Sequence, residues 1–222
     1  MDLTNQKRFY YGKSISLNIN DTLTEISKKN VSHHFANDFD TNAGQVNVIV
    51  SLPWVNSFHF KPMGETTQNN TGFLGIGMGV EYFYKEKNFV GLYGSAAINF
   101  LAPVPVPIAY DGEHEFLSSL AIGLTNNHKL ERFTVGYGLN YSRNTWRLWN
   151  DAYDPLVEGS RKPMTKSNNS LGLIANGYYQ FGKQFFVGLH YKPSLLVLHT
   201  NPKLHYEHVI SLDLVWKFKI KG

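Results

Sequence analysis

An all-β chain, closed into an antiparallel transmembrane β-barrel, is predicted by three observations in the 222-residue sequence. Period-2 runs separated by Gly, Pro, Asn and charged clusters repeat along the chain, and very little reads as helix. One face of each run carries aliphatics and rings, while the other is rich in Gly, Ser, Ala and Asn and poor in charge. Short and long connections alternate between the runs. A water-soluble barrel would turn Lys, Glu, Asp and Thr to solvent on its second face. Small residues suit a crowded interior instead, and bulky ones suit contact with acyl chains, which is the inside-out alternation of membrane-spanning barrels.

The first run, 8–19, contains "FYYGKSISLNI" and alternates well enough to demand a partner. Residues 21–31 hold one or two helical turns with no sustained period. The next run, 45–60, is interrupted by "PWVN" at 53–56. Pro53 lacks a donor and fits a turn better than a ladder. Splitting the run there gives ten strands, an even count as in bacterial single-chain barrels, and places Trp54 on the short-turn rim. Ten is the favoured count. Eight is the alternative, with 45–60 whole and 8–19 outside the barrel.

Residues 72–84, "GFLGIGMGVEYFY", set Leu74, Ile76, Met78, Val80, Tyr82 and Tyr84 against Phe73, Gly75, Gly77, Gly79, Glu81 and Phe83. The glycines and Glu81 belong inside and the bulky set outside. In 89–101, Val90, Leu92, Ala96, Ile98 and Phe100 oppose Gly91, Tyr93, Ser95, Ala97 and Asn99. Runs at 115–126, 132–146, 169–181, 185–198 and 206–219 repeat the pattern. The connections 85–88, 127–132 and 182–184 are short, 102–115 and 147–169 are long, and 199–206 is intermediate. They read as periplasmic turns and extracellular loops. Tyr82, Tyr84, Phe89, Phe133, Tyr179, Phe181, Phe185, Trp216 and Phe218 crowd the short-turn side as an interfacial girdle. Phe100, Phe116, Tyr141 and Trp146 form a second one at the other rim.

Composition bounds the rest. No cysteine is present, which excludes disulfides and thiolate metal sites. The net charge of +4 comes from scattered basic residues, so no nucleic-acid footprint is expected. No apolar stretch approaches a transmembrane helix. The start "MDLTNQKRFYYG" has no leader core. With the strand pattern, that points to a mature chain whose leader is gone. One domain over 1–222 is expected, with 1–7 as an N-terminal tail.

On these features the chain over about 8–219 resembles the small outer-membrane β-barrel proteins of Gram-negative bacteria. "SLPWVNSFHFKP" (51–62) and "LTNNHKLERFTVGYGLNYSRNTW" (124–146) are similar to segments of uncharacterised members. One departure is the end, "VWKFKIKG", where Phe218 stands four residues before the terminus in place of a final aromatic. The resemblance implies export to the outer membrane as a monomeric barrel in contact with outer-membrane lipid.

An interior polar network of Glu81, Asn176, His190, Lys192 and Asp213 is expected. Lys192 and Asp213 face each other if their hairpin register sums to about 405, and His190 sits beside Asn176. The functional reading is a catalytic or proton-handling cluster. The plainer reading is charge compensation, because buried charges must be paired. His190 and Ser194 share a face but lie roughly 13 Å apart along one strand, too far for a dyad. His208 and Ser211 face opposite ways. His114 between Glu113 and Glu115, or His199 and His205, would serve an omptin-like protease at the rim. Asp38, Asp40 and Asn42 open like a calcium loop, yet Ile49 stands where the closing Glu belongs. "GIGMGV" fails the dinucleotide pattern at Val80, and His33–His34 reads as loop. No catalytic residue, metal or cofactor is assigned.

Tyr110, Trp146, Trp149 and Tyr153 form an aromatic loop surface for an envelope protein or glycan. The expected role is therefore structural or interactive, through the extracellular loops. The alternatives are an outer-membrane enzyme (a lipid-modifying hydrolase or acyltransferase, or an omptin-like protease), a small channel, and a soluble lipocalin-like binder.

Overall fold

The computed structural model describes residues 6–10, 13–17, 41–108, 112–198 and 202–221. The chain forms two compact units, Met1–Asp38 and Phe39–Gly222. In the first, β1 (Gln6–Tyr10) and β2 (Lys13–Leu17) make an antiparallel hairpin in which Gln6 pairs with Leu17 and Tyr10 with Lys13. The single strand expected over 8–19 is thus two short strands that satisfy each other. The expected helical turns at 21–31, His33–His34, Asp38, Asp40 and tail residues 1–5 lie outside the described residues.

The second unit is a closed barrel of β3 (Val46–Phe60), β4 (Gln68–Lys85), β5 (Asn88–Phe100), β6 (Glu113–Leu130), β7 (Phe133–Asn150), β8 (Met164–Gln180), β9 (Phe185–Val197) and β10 (Lys203–Lys221). Each strand pairs antiparallel with its chain neighbours, and β10 closes on β3. The ring therefore has eight strands, the alternative count, and not ten. Residues 45–60 do not turn at Pro53. The β10 ladder runs from Leu212↔Val55 to Asp213↔Pro53, which leaves Trp54 as the extra residue of a bulge in mid-strand, away from the short-turn rim. On the other side the β3–β4 pairing lapses between Ser51↔Gly77 and Val55↔Phe73. Pro53 sits in that lapse, where β4 offers no pair for the donor it lacks. Leu74 takes φ +74° there, and Asn56 Nδ2 donates to its carbonyl at 3.0 Å.

Faces follow the expected alternation. Ile76, Met78, Val80, Leu92, Leu124, Leu139 and Leu173 are exposed on the outer wall, while Asn47, Ser51, Glu81, Ser95, Asn140 and Asp213 are buried within. The soluble lipocalin-like alternative needed the bulky face inside, and it lies outside. Two glycines show why that inner face is small. A Cβ at Gly77 would overlap Ser51 Oγ and Tyr93 Oη, and one at Gly136 would overlap the amides of Asn127 and Asn176. Each glycine leaves room for a hydrogen-bonded pair.

The pattern reverses toward the long loops. There the outer wall carries Thr71, Ser118, Arg143, Thr145, Ser167 and Asn169. The inner wall packs Phe58, Phe60, Leu117, Trp146, Leu148 and Val209 into one apolar cluster. The changeover falls at one level around the ring. It lies between Tyr141 and Arg143 in β7 and between their register partners Leu171 and Asn169 in β8. In β10 it lies between Ile210 and His208. Below it, Phe133–Tyr141 and Ile210–Phe218 each give about nine residues, close to the ~9–11 that a tilted strand needs to span hydrocarbon. Strands such as β7, with 18 residues, project the remainder into water.

Candidate functional site

Two places concentrate chemistry: the barrel lumen and a groove on its outer wall near the long loops. The lumen is a stack of hydrogen-bonded layers. At the short-turn end, Gln45 Nε2 donates to Asn47 Oδ1 at 2.8 Å, and Asn47 Nδ2 donates to Glu81 Oε2 at 3.2 Å. Lys217 Nζ meets Glu81 Oε1 at 2.5 Å. The same ammonium lies over the Tyr178 ring at 4.4 Å and the Phe186 ring at 4.9 Å. The next layer joins Ser51 to the Tyr93 hydroxyl at 2.6 Å, and that hydroxyl donates to Asp213 Oδ2 at 2.8 Å. Tyr93 stacks on His190 with centroids 5.0 Å apart. Lys192 Nζ donates to Ser95 Oγ at 3.2 Å. Nearer the loops, Glu207 accepts from Asn144 at 2.7 Å, Asn168 at 2.8 Å and the Lys61 amide at 3.1 Å. The apolar cluster of Phe58, Phe60 and Trp146 fills the lumen at the long-loop end.

Asn176 and His190 are register partners on β8 and β9, as the short turn dictates. Lys192 and Asp213 are not: the β9–β10 register pairs Lys192 with Val209 and Gly188 with Asp213, so the sum is 401 and not 405. A shift between Leu204 and Glu207 separates the loop from the ladder, so loop length does not set the pairing below it. Asp213 instead approaches His190, with Nε2 to Oδ2 at 3.6 Å. Ser211 is the register partner of His190. Ser211 Oγ and both His190 nitrogens have no hydrogen-bond partner among the described residues. A nucleophile needs its base within hydrogen-bond reach. Here the imidazole makes no such bond among the described residues and is enclosed beside Asp213. Glu81 stands with Lys217, which shares parity with Asp213 on β10 and was not included in the expected network. Tyr93, the hub between Ser51 and Asp213, was left out in the same way.

Two aromatics stand elsewhere than expected. Trp146 is buried in the apolar cluster at 1% exposure, not in a loop, because β7 continues to Asn150. Phe89, expected in the girdle, is buried and tilts against Phe83 at 4.5 Å. Tyr110 and His199 lie outside the described residues, and Tyr153 is half-buried in its loop without lining the groove.

Trp149 does line the groove. The last β5–β6 pair is Ile98↔Ser118, so β6 continues above it with no strand on that side among the described residues. Asn99 replaces the missing ladder with its side chain: Oδ1 accepts from the Leu117 amide at 2.8 Å and Nδ2 donates to the Glu115 carbonyl at 3.2 Å. The step leaves a cavity of about 580 Å³, walled by Phe100, Phe116 and Trp149, with His114, Arg147 and Asp151 at its edge. That size falls in the usual range for ligand clefts. His114 is edge-on to Phe116 at 5.0 Å and stacks near Trp149 at 6.5 Å. Glu113 and Glu115 are held by Arg161 at 2.9 and 3.8 Å, and Asp151 accepts from the Trp149 indole. His205 contacts Glu207 at 3.4 Å and the Lys61 carbonyl at 2.9 Å, away from this groove.

Fold and outer surface together define a class, the small eight-stranded outer-membrane β-barrel. Neither a family model nor a curated protein matches the chain. Among solved structures it is similar to Ail, the attachment invasion locus protein of Yersinia pestis. The identity is 12% over 79% of this chain and 99% of that one, with a TM-score of 0.50. It is also similar to Ail in complex with the heparin analogue sucrose octasulfate, at 11% identity over 78% and 99% of the two chains and a TM-score of 0.50. Neisserial surface protein A shares 12% identity over 78% of this chain and 97% of its own, with a TM-score of 0.45.

Proposed function

We propose that this outer-membrane barrel is a sealed scaffold whose work is done at its extracellular rim, in contact with a partner or envelope component, and not by passage through its lumen. The observation that carries the reading is the filled interior. Glu81–Lys217 and Tyr93–Asp213 occupy the membrane level, and the Phe58–Phe60–Trp146 cluster occupies the long-loop end. Eight strands give an interior that side chains can fill. The groove beside β6 opens in the wall next to the long loops, and loops on a rigid scaffold are where binding function gathers.

Planar-bilayer recording of the refolded chain tests the seal. No unit conductance above the bare membrane is expected, and a steady unit conductance would overturn the reading. Replacing 151–163 by a short Gly-Ser linker tests the separation of scaffold from rim. A folded barrel with heat-modifiable gel mobility is expected. Failure to fold would show that the loop serves the scaffold and would count against the proposal.

A further inference from the structure

Arg143 and Arg147 stand on the outer wall of β7, both exposed. Neither has an ion-pair or hydrogen-bond partner among the described residues. Several carboxylates near the long loops have other partners. Glu113 and Glu115 hold Arg161, Glu65 holds Lys166 at 2.6 Å, and Asp151 holds the Trp149 indole. The two unpaired guanidinium groups rise from the level at which the outer wall changes from apolar to polar. Tyr141, last of the apolar belt on β7, lies directly below Arg143, and Arg147 pairs with Phe116 in the groove wall. Groove and belt form one surface: Ile98 lines the groove, and Leu120 and Ile122 continue below it on β6.

We infer that this stretch of wall binds a lipid of the outer leaflet through a phosphate-bearing head group, with the acyl chains on the belt below. The inference rests on reading the rim groove as a contact surface and names its ligand chemistry. Three features select it. The cations sit at the height of a head group and not at the loop tips. Guanidinium forks match phosphate oxygens in two-point hydrogen bonds. The aromatic walls of Phe100, Phe116 and Trp149 suit the boundary between acyl chains and water, where such rings gather. A soluble ligand would need none of the continuity with the apolar belt.

The test uses the full chain refolded into phosphatidylcholine vesicles, with spin-labelled phosphatidic acid and spin-labelled phosphatidylcholine as probes. The readout is the relative association of the two labels with the protein. Wild type is expected to prefer phosphatidic acid, with about five-fold of that preference lost per arginine in R143Q and R147Q, and all of it in the double variant. Arg147→Lys should restore part of the loss, and added salt should weaken the preference. Both side chains are exposed, and unchanged heat-modifiable mobility certifies that the variants fold. Equal association of the two labels with wild type would overturn the inference, as would a preference that survives in the double variant. Displacement of the lipid by millimolar inorganic phosphate, or by a soluble polysulfated saccharide, would make the site one for a free anion and would overturn it as well. A conducting barrel would defeat the sealed-scaffold reading through a separate measurement, so the two failures are distinguishable.

Discussion

The membrane half of the barrel and its long-loop half are built from the same eight strands with opposite polarity. At the level of Leu124, Leu139 and Leu173 the outer wall is aliphatic and the inner wall holds charges and amides. About three pleat repeats higher, Ser167 and Thr145 face out, and Trp146 and Leu148 are buried within. The difference teaches what each half exchanges on folding. In the membrane, acyl chains already solvate the outer face, so the interior has no need to be oily. It must instead satisfy every polar group it encloses. Above the membrane, water surrounds the wall, and the hydrophobic effect puts rings inside as it does in any soluble protein. A bulge at Trp54 and a register shift beside Leu74 sit near the transition. Each irregularity breaks the alternation and resets which parity faces inward, so β3 carries Ser51 inside below it and Asn56 and Phe58 above, and β4 carries Glu81 inside below it and Gly72 above.

The comparison breaks most visibly if the two interiors are damaged separately. Trp146→Ala empties an apolar core position and is expected to cost about 3–5 kcal/mol. Lys217→Met should cost about as much, because it strands Glu81 as an uncompensated buried charge. The two losses differ in how they are repaired. Adding Glu81→Gln to Lys217→Met should recover most of the stability, since no charge then remains to be paired. No polar substitution beside the cavity left by Trp146→Ala should do the same. Urea unfolding of the refolded barrel, read by tryptophan fluorescence and gel mobility, separates the cases. A double variant as unstable as Lys217→Met alone would mean that the pair is not what the ammonium contributes.

The outer wall sharpens the same contrast at smaller magnitude. Leu139→Arg, in the row of three leucines, should cost about 2–4 kcal/mol, the range for a cation near the bilayer midplane. Ser167→Arg, on the same outer wall above the changeover, should fall within about 0.5 kcal/mol of wild type, as exposed surface changes do. Equal costs would place the membrane boundary elsewhere.

How much of this was legible in the sequence depends on whether parity or register was being read. Parity was legible. Glu81, Tyr93, Asp213 and Lys217 all fall on the face that alternation assigns to the interior. Trp146 and Phe89 were legible by the same rule: Trp146 shares parity with Ser142, and Phe89 with Gly91. They were misplaced because rings near strand ends look like girdle residues until the strand's true length is known. Register was not legible. The 401 sum that brings His190 to Asp213 depends on an irregularity between Leu204 and Glu207, and nothing in the residue pattern announces it. Pro53 was ambiguous for a related reason. A missing donor excludes a regular ladder, but a turn and a lapse in pairing satisfy it equally well. The groove could not be read at all, because it exists only where β5 stops short of β6.

The smallest predicted effect lies just above the changeover, on the outer wall. His59 and His208 are register partners on β3 and β10 and stack with centroids 4.8 Å apart. Tyr206 and Tyr191 pack around His208 at 5.4 and 5.8 Å. Burial holds the His208 imidazole below its ordinary pKa of 6.5, and the neighbouring His59 pushes the same way. The folded state thus resists a proton that the unfolded chain accepts. Above the unfolded value neither state is protonated there, and the contribution is fully present. As pH falls through that value toward the lower folded one, the unfolded chain takes up the proton first and the contribution is lost. Unfolding midpoints should therefore decline between roughly pH 7.5 and 5.5. His208→Asn should flatten that decline. His208 is partly open to solvent, so screening keeps the slope shallow. An unchanged slope in His208→Asn would assign the decline to other groups and reduce the histidine pair to a packing contact.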